Sequence, residues 1–323
     1  TLFRSDMDWL LNEKDTALHY YKKTIKYNSV HKDAHLKLGI LYKEKKQNDL
    51  AKKHLETAIV VGITSDPFLY LNLGIVYGRL GNAEKEIQNY RKGLAINDEI
   101  ADLHNNLAIS LMKNGIYSDE TIEHLLVAIE LNHEKKENYY NLGNAYLNMN
   151  KLKLAHNAIE KALEIDGKYY EANMAMALIL QKQNSINAAS KYYEVAYEMN
   201  QSDIGLLINY GTYLMDIESY DNAIEKFKKV INIDPGNLKA HFNMGILYGI
   251  LQKNSLAQKE FKKVLKLDSR NHEAYKYLGV LNAYVSNYKN AFKYYKKSMA
   301  INPSDPENYF NIAVLYEQKG NIK

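Results

Sequence analysis

Cysteine is absent from the 323-residue chain. That excludes disulfides, thiolate nucleophiles and cysteine-ligated zinc, and it suits cytoplasm and periplasm alike. No apolar run approaches the roughly 18 residues that a membrane-spanning helix needs; the longest, such as LNLGIVY, are short and interrupted. No signal peptide follows Thr1, and because the chain does not open on Met we expect the natural N-terminus to lie upstream. A cytoplasmic location is the first expectation, with a periplasmic or membrane-tethered one retained for a leader or anchor outside these residues. Charge of one sign is lacking too. The net charge is +4, with Lys and Arg sitting among Glu and Asp. This is the pattern of a solvated mixed surface rather than of a phosphate-binding stripe, so no nucleic-acid partner is expected.

Catalytic motifs are missing as well. There is no G-x-x-x-x-G-K-S/T phosphate loop, no G-x-S-x-G elbow and no H-E-x-x-H zinc pair. GIVYGRLG holds three glycines, but it lies within a helical pattern rather than after a strand, where a phosphate cradle would form. His31 and His35 stand four residues apart, close enough to share a helical face as metal ligands. His35, however, shares its place in the chain's periodic pattern with His104 and His241, a place that takes a large planar packing side chain. Carboxylates fall on solvent faces, as in NAEKEI and ETIEH, without the paired, buried acid and base of proton-transfer catalysis. The expectation is a protein that is not an enzyme and holds no cofactor or metal.

What the chain does have is a repeat. Small residues recur at Gly39, Gly74, Ala108, Gly143, Ala177, Gly211, Gly245, Gly279 and Ala313, at intervals of 34 or 35. A second series runs Ala17, Ala51, Glu86, Thr121, Ala155, Ala189, Ala223, Ala257 and Ala291. Number the first series as position 8 of a unit. Positions 4, 7, 8 and 11 then read large, apolar, small, large, as in Tyr139, Leu142, Gly143 and Tyr146, one stripe of an α-helix. Positions 20, 24 and 27 form a second stripe, as in Ala223, Phe227 and Val230. Between them, position 15 carries Gly81, Gly115, Asn150, Asn184, Ser286 and Gly320, and Gly and Asn tolerate the left-handed conformation that ends a helix. Each unit is therefore a hairpin of helix A and helix B. Small residues at 8 and 20 let the two helices approach closely, and stacked neighbours bury the stripes that one hairpin cannot.

This pattern resembles the tetratricopeptide repeat family, whose large-x-x-apolar-small-x-x-aromatic and Ala-x-x-x-aromatic-x-x-Ala signatures recur along the whole chain. The family's proline at position 32 survives only as Pro235 and Pro303. Pro67 and Pro306 instead open helices at position 1, where a missing N–H is harmless. The resemblance implies an all-α fold, a right-handed superhelical solenoid of helix-turn-helix hairpins, as a single array over 1–323. Within it we place helix B of a leading repeat at 14–28, full repeats at 32–66, 67–100, 101–135, 136–169, 170–203, 204–237, 238–271 and 272–305, and a partial repeat at 306–323. Leu2, Phe3, Trp9 and Leu10 read as the worn remains of a first helix A. One extra residue each in VVGITSDPF and GIYSDE lengthens a loop between repeats and a turn within one. Glu86 and Thr121 replace Ala at position 20, so the repeats at 67–100 and 101–135 are expected to pack least well. Phe310, Ile312, Val314 and Leu315 lack a helix B, so we expect the natural protein to continue beyond Lys323 or another molecule to cover this end.

The resemblance also implies binding. In the family, helix A lines the concave face with positions 2, 5, 6, 9, 12 and 13. Position 6 here carries Asn72, Asn106, Asn141, Asn209, Asn243 and Asn311. An amide both donates and accepts, so a ladder of them can hold an extended peptide by its backbone. This is similar to the asparagine ladder in the repeat arm of O-GlcNAc transferases. Asn is equally the family's common structural residue at this position, and both readings stay open. Position 5 adds Tyr140 and Phe242 to an otherwise largely apolar strip, and Asn144 is the one Asn at position 9. The expected concave, peptide-binding site is therefore these nine residues. Capture of chaperone C-terminal tails is not expected, because the clamp that binds them needs Lys at 5 with Asn at 9 and Arg at 6. No repeat has that Arg, and the repeat of Asn144 carries Tyr140 at 5. The expected function is a protein–protein interaction scaffold that holds a peptide or helical segment of a partner. The alternative is the substrate-recruiting arm of a larger, glycosyltransferase-like enzyme whose catalytic domain lies outside this chain. Self-association through exposed solenoid ends is a further expectation.

Overall fold

The structure, a computed structural model, describes the backbone over residues 2–320 and side chains over residues 13–318. Every described element is an α-helix, and the chain forms two compact units, Thr1–Ala175 and Met176–Lys323. The first unit holds α1 (Leu2–Tyr27) and four hairpins. These are α2 (Lys32–Glu44) with α3 (Asn48–Val60), α4 (Pro67–Arg79) with α5 (Ala83–Ile96), α6 (Ala101–Lys113) with α7 (Asp119–Leu131), and α8 (Lys136–Asn148) with α9 (Leu152–Ile165). The units divide within α10 (Tyr170–Lys182). The second unit continues with α11 (Ile186–Met199), then α12 (Ile204–Asp216) with α13 (Tyr220–Ile233), α14 (Leu238–Ile250) with α15 (Asn254–Leu267), and α16 (His272–Tyr284) with α17 (Tyr288–Ile301). It ends on α18 (Pro306–Gly320). Within each unit the hairpins stack as a helical solenoid. No described helix is long and apolar enough to cross a membrane.

The small residues act as the repeat pattern requires. A Cβ added to Gly74 would stand 2.4 Å from the Tyr90 ring, and one on Gly279 would stand 2.4 Å from the Tyr295 ring. The bare backbone of helix A is thus what lets the aromatic of helix B lie against it. Ala51, Ala155, Ala223 and Ala257, at position 20, are fully buried on the reciprocal side.

The turns show how tertiary packing overrides local preference. Gly81, Gly115, Asn150, Asn184 and Ser286 adopt positive φ at position 15, and so do Lys46, Glu218 and Gln252, which sequence chemistry does not single out. In those three turns the next residue's N–H bonds back across the helix end, Gln47 to the Tyr42 carbonyl (2.9 Å), Ser219 to Leu214 (2.8 Å) and Lys253 to Tyr248 (2.8 Å). This backbone closure, with the packing of both helices, outweighs the strain of a left-handed non-glycine residue, about 1–2 kcal/mol.

Two expectations are revised. α1 is one uninterrupted helix from Leu2, where the sequence reading separates a first helix A from a helix B starting at 14. Neither Gly nor Pro occurs in that stretch to break it. The packing of Leu2, Phe3, Trp9 and Leu10 lies outside the described side chains. Glu86 and Thr121 are both buried. The Thr121 hydroxyl donates to the Ile116 carbonyl (3.0 Å) within the lengthened turn. α18 extends to Gly320 without reaching a turn there.

One polar device recurs between repeats. The side chain at position 4 donates to the carbonyl six residues earlier, in the loop that enters its repeat: His35 to Ser29 (3.0 Å), His104 to Asp98 (2.8 Å), Asn173 to Gly167 (3.1 Å), His241 to Pro235 (3.0 Å) and Tyr309 to Pro303 (2.9 Å). A loop carbonyl held against the next helix needs a donor, which is why polar planar groups serve at this position beside Tyr and Leu. The imidazoles are therefore packing residues. His31, the other half of the possible metal pair, caps α2 by accepting from the Ala34 N–H (3.2 Å).

Candidate peptide-binding site

The six position-6 asparagines do not form one uniform ladder. Asn72 is buried, donates to the Phe68 carbonyl (2.7 Å) and accepts from Lys43 of the preceding repeat. Burial lowers the pKa of that lysine, which still donates into the amide. Asn141 donates to the side-chain oxygen of Asn105, one repeat earlier (2.8 Å), and Asn243 points at the Thr212 hydroxyl of its predecessor (3.5 Å). Stacking brings position 6 of one helix A beside positions 5, 9 and 12 of the one before, so these amides join repeat to repeat. Asn106, Asn209 and Asn311 are half-exposed, and their amides make no hydrogen bond among the described residues.

The aromatic members of the expected site are packing groups as well. Tyr140 lies edge-on to Tyr169 (5.4 Å between centroids). Phe242 lies edge-on to the stacked pair of Phe261 and Tyr277, at 5.6 Å from each, and joins the core between the hairpins of α14 and α16. Asn144 is half-exposed on α8, on the same side as Tyr140 and Asn141.

An enclosed apolar opening lies beside these residues. A pocket of about 200 Å³ sits between α14 and α16, lined by Ile246, Gly249, Ile250, Phe261, Val280 and Tyr284 among others, with no charged side chain in its wall. Gly249 makes the room: a Cβ there would find its nearest neighbour, Leu281 Cδ2, at 3.9 Å. Val280 and Tyr284 are 41% and 64% exposed and form its rim. Both also border the next depression, between α16 and α18, with Asn311, Val314 and Gln318. The two openings thus make one trough along three successive A helices. Sequence reasoning missed Gly249, Ile250 and Tyr284. The available signal was a glycine at position 12, shared with Gly78, where Lys43, Met112, Leu147 and Met215 stand in other repeats.

One other polar cluster serves the fold. The buried ammonium of Lys276, at position 5, meets Glu273 (3.0 Å), Asp305 (3.2 Å) and Glu307 (2.7 Å). Burial works to lower its pKa, but these three acceptors prevail and hold it well above the ordinary lysine value. His272, Glu273 and Asp305 bring ligand atoms within 4.8 Å of one another, yet the lysine already occupies the carboxylates, so the group is an ion-pair cage. The same cage withdraws Lys276 from any role as a clamp for a C-terminal carboxylate.

Family models of the tetratricopeptide repeat match residues 33–59, 69–99, 136–169, 204–237 and 238–271. The chain is a tetratricopeptide repeat protein, and its class is that of protein-interaction scaffolds. It is 27% identical over 221 residues to the type IV pilus assembly protein PilF of Pseudomonas aeruginosa, covering 67% of this chain and 86% of the relative. The solved PilF structure superimposes with a TM-score of 0.58 at 25% identity over 65% of this chain and 94% of PilF. An uncharacterized Haemophilus influenzae protein is 32% identical over 88 residues, which are 27% of this chain, and the match spans 49% of that relative's length. The Cut9–Hcn1 hetero-tetramer of the APC/C shares the fold alone, with a TM-score of 0.63 at 14% identity over 82% of this chain and 52% of the matched chain.

Proposed function

We propose that the chain binds a peptide or helical segment of a partner protein along the A helices of its second unit, seating an uncharged apolar side chain between α14 and α16. The supporting observation is the uncharged pocket at Gly249, rimmed by the exposed Val280 and Tyr284. A small apolar cavity with a few polar groups at its edge is the usual form of an anchor site. The free amide of Asn311, at the far end of the trough, supplies backbone hydrogen bonds to the same segment, and Asn209 stands one repeat before the pocket. In unit 1, Asn106 and Asn144 are the corresponding open amides, while Asn72 and Asn141 serve mainly to join repeats. The single array of repeats over 32–305 is our assignment of the domain structure. No observation favours the enzyme-arm reading, which drew on the ladder of position-6 amides.

The test is Gly249→Leu, which fills the pocket from within. Peptides selected from a random display library on the unaltered chain are measured against both proteins. We expect an apolar anchor in the selected peptides and binding to the variant at least about tenfold weaker, the minimum worth of such an anchor, with an unchanged melting temperature. Equal affinity for both proteins sinks the proposal.

A further inference from the structure

Charge is not spread evenly along the chain after all. Between Lys253 and Lys297 stand eleven Lys and Arg against three Asp and Glu. This stretch is eight charges positive in a chain whose net is +4, and the remainder is four negative. Two of the three acids are already engaged in ion pairs. Glu260 is engaged by His241 (2.6 Å) and Lys263 (3.1 Å), Asp268 accepts from the Arg270 N–H (3.0 Å), and Glu273 pairs with Lys276.

The surplus falls on one kind of surface. On α15, Lys259, Lys262 and Lys266 follow each other at three- and four-residue spacing, and on α17 Lys289, Lys293 and Lys296 do the same. Each trio therefore runs along a single helical face. It lies opposite the buried face, formed by Phe261 and Val264 on α15 and by Ala291 and Tyr295 on α17. All six lysines are exposed, and none makes an ion pair among the described residues. Tyr294 of α17 packs on the core that Phe261 and Val264 build, so the two lysine faces belong to consecutive hairpins of one unit.

We propose that the outer faces of α15 and α17 dock on an anionic phospholipid bilayer. Six unpaired lysines fall within the range of four to eight cations that attract acidic lipid headgroups. The cations are ammonium groups on flexible stems, suited to a diffuse sheet of negative charge. The fixed fork that grips individual phosphates or carboxylates is present once, as Arg270. Lys259, Lys262 and Lys266 crown an open helix face, and Lys289, Lys293 and Lys296 border a wide, shallow depression with Tyr288, Phe292 and Tyr316, whose aromatic rings suit the headgroup level of a bilayer. The one largely exposed aromatic at this depression, Tyr316, lies edge-on to Phe292 at 4.7 Å. This surface is separate from the trough on the A helices.

The experiment is co-sedimentation of the full chain with phosphatidylcholine vesicles, with and without about 30% phosphatidylglycerol. It is run beside the variant Lys259→Gln, Lys262→Gln, Lys293→Gln, Lys296→Gln, whose exposed sites leave the fold intact by circular dichroism. We expect binding to the anionic vesicles only, lost near ~0.5 M NaCl, and reduced more than tenfold in the variant, since each lysine near such a surface is worth about fivefold. Equal binding to neutral vesicles, no binding to anionic ones, or an undiminished variant overturns the proposal. So does displacement from the vesicles by polyglutamate or a duplex oligonucleotide at matched charge concentration, which would assign the face to an acidic protein or a nucleic acid.

Discussion

Gly78 and Glu86 share one space: a Cβ on Gly78 would lie 2.6 Å from the carboxyl carbon and Oε1 of Glu86. They stand at positions 12 and 20 of a single repeat, so the glycine admits the large residue that replaces the usual Ala. Glu86 is buried, and its carboxylate lies 3.5 Å from the Tyr90 hydroxyl. Burial first, and Glu86 second, push the pKa of that phenol upward. Gly78→Ala should lower stability by about 1–3 kcal/mol through overpacking. The same change made on top of Glu86→Ala should cost well under half as much. Equal costs in the two backgrounds, by urea denaturation, would show the pair to be uncoupled.

Acid should loosen the first unit. His35 donates from Nε2 to Ser29, so its Nδ1 accepts from His54 Nδ1 (3.0 Å), and His104 and His124 repeat the arrangement (2.9 Å). Burial, with the neighbouring imidazole second, holds the pKa of His54 down to about 4 and lowers that of His124. Unfolded imidazoles protonate near pH 6.5, so the unfolded chain takes up more protons as pH falls. The neutral pairs therefore contribute fully above about pH 6.5 and lose their contribution as pH drops towards about 4, with His54 accounting for on the order of 2 kcal/mol. Unfolding free energies at pH 7 and pH 5 should differ clearly in the unaltered chain and less in His54→Gln/His124→Gln. Identical pH slopes would refute the assignment.

Lys276→Met should destabilise the junction of α16 and α18. It leaves Asp305, itself buried, without its cation, although Asn308 Nδ2 still donates to it at 3.2 Å. Breaking a buried pair from one side costs about 3 kcal/mol, reduced here because Glu307 is largely exposed. Hydrogen exchange across α18 reads the effect, and unchanged protection there would count against the cage.

Asparagines at one repeat position should behave differently. Asn141→Ala strips the buried Asn105 oxygen of its donor and should cost about 1–2 kcal/mol. Asn106→Ala removes an unpartnered, half-exposed amide and should stay within about 0.5 kcal/mol. Thermal melts of the two variants compare them directly, and equal shifts would remove the distinction between joining and open amides.

Much of the fold was legible because its determinants are local and periodic. Gly74, Tyr77 and Tyr90 announce their roles by spacing, and the lengthened segments VVGITSDPF and GIYSDE appear where the helices are interrupted. The candidate site was only partly legible. Asn72, Asn141, Asn209, Asn243 and Asn311 are indistinguishable as letters, yet which of them is engaged depends on whether Lys43, Asn105 or Thr212 stands opposite in the preceding helix. That is a relation between repeats, not within one. Phe242 was visible as an apolar groove residue, but its packing against the stacked rings of Phe261 and Tyr277 was not.

The sequence by itself determined the helical class, the hairpin and the 34-residue stacking period, because the placing of small and bulky residues admits one way of burying both stripes. The tertiary structure alone decided where that packing is incomplete. A missing side chain at Gly249 opens a pocket only because α16 approaches from the next repeat, and the same absence at Gly78 is filled because Glu86 lies across it. Local spacing specifies which surfaces must be covered; only the neighbouring helix decides whether a given glycine becomes a contact or a cavity.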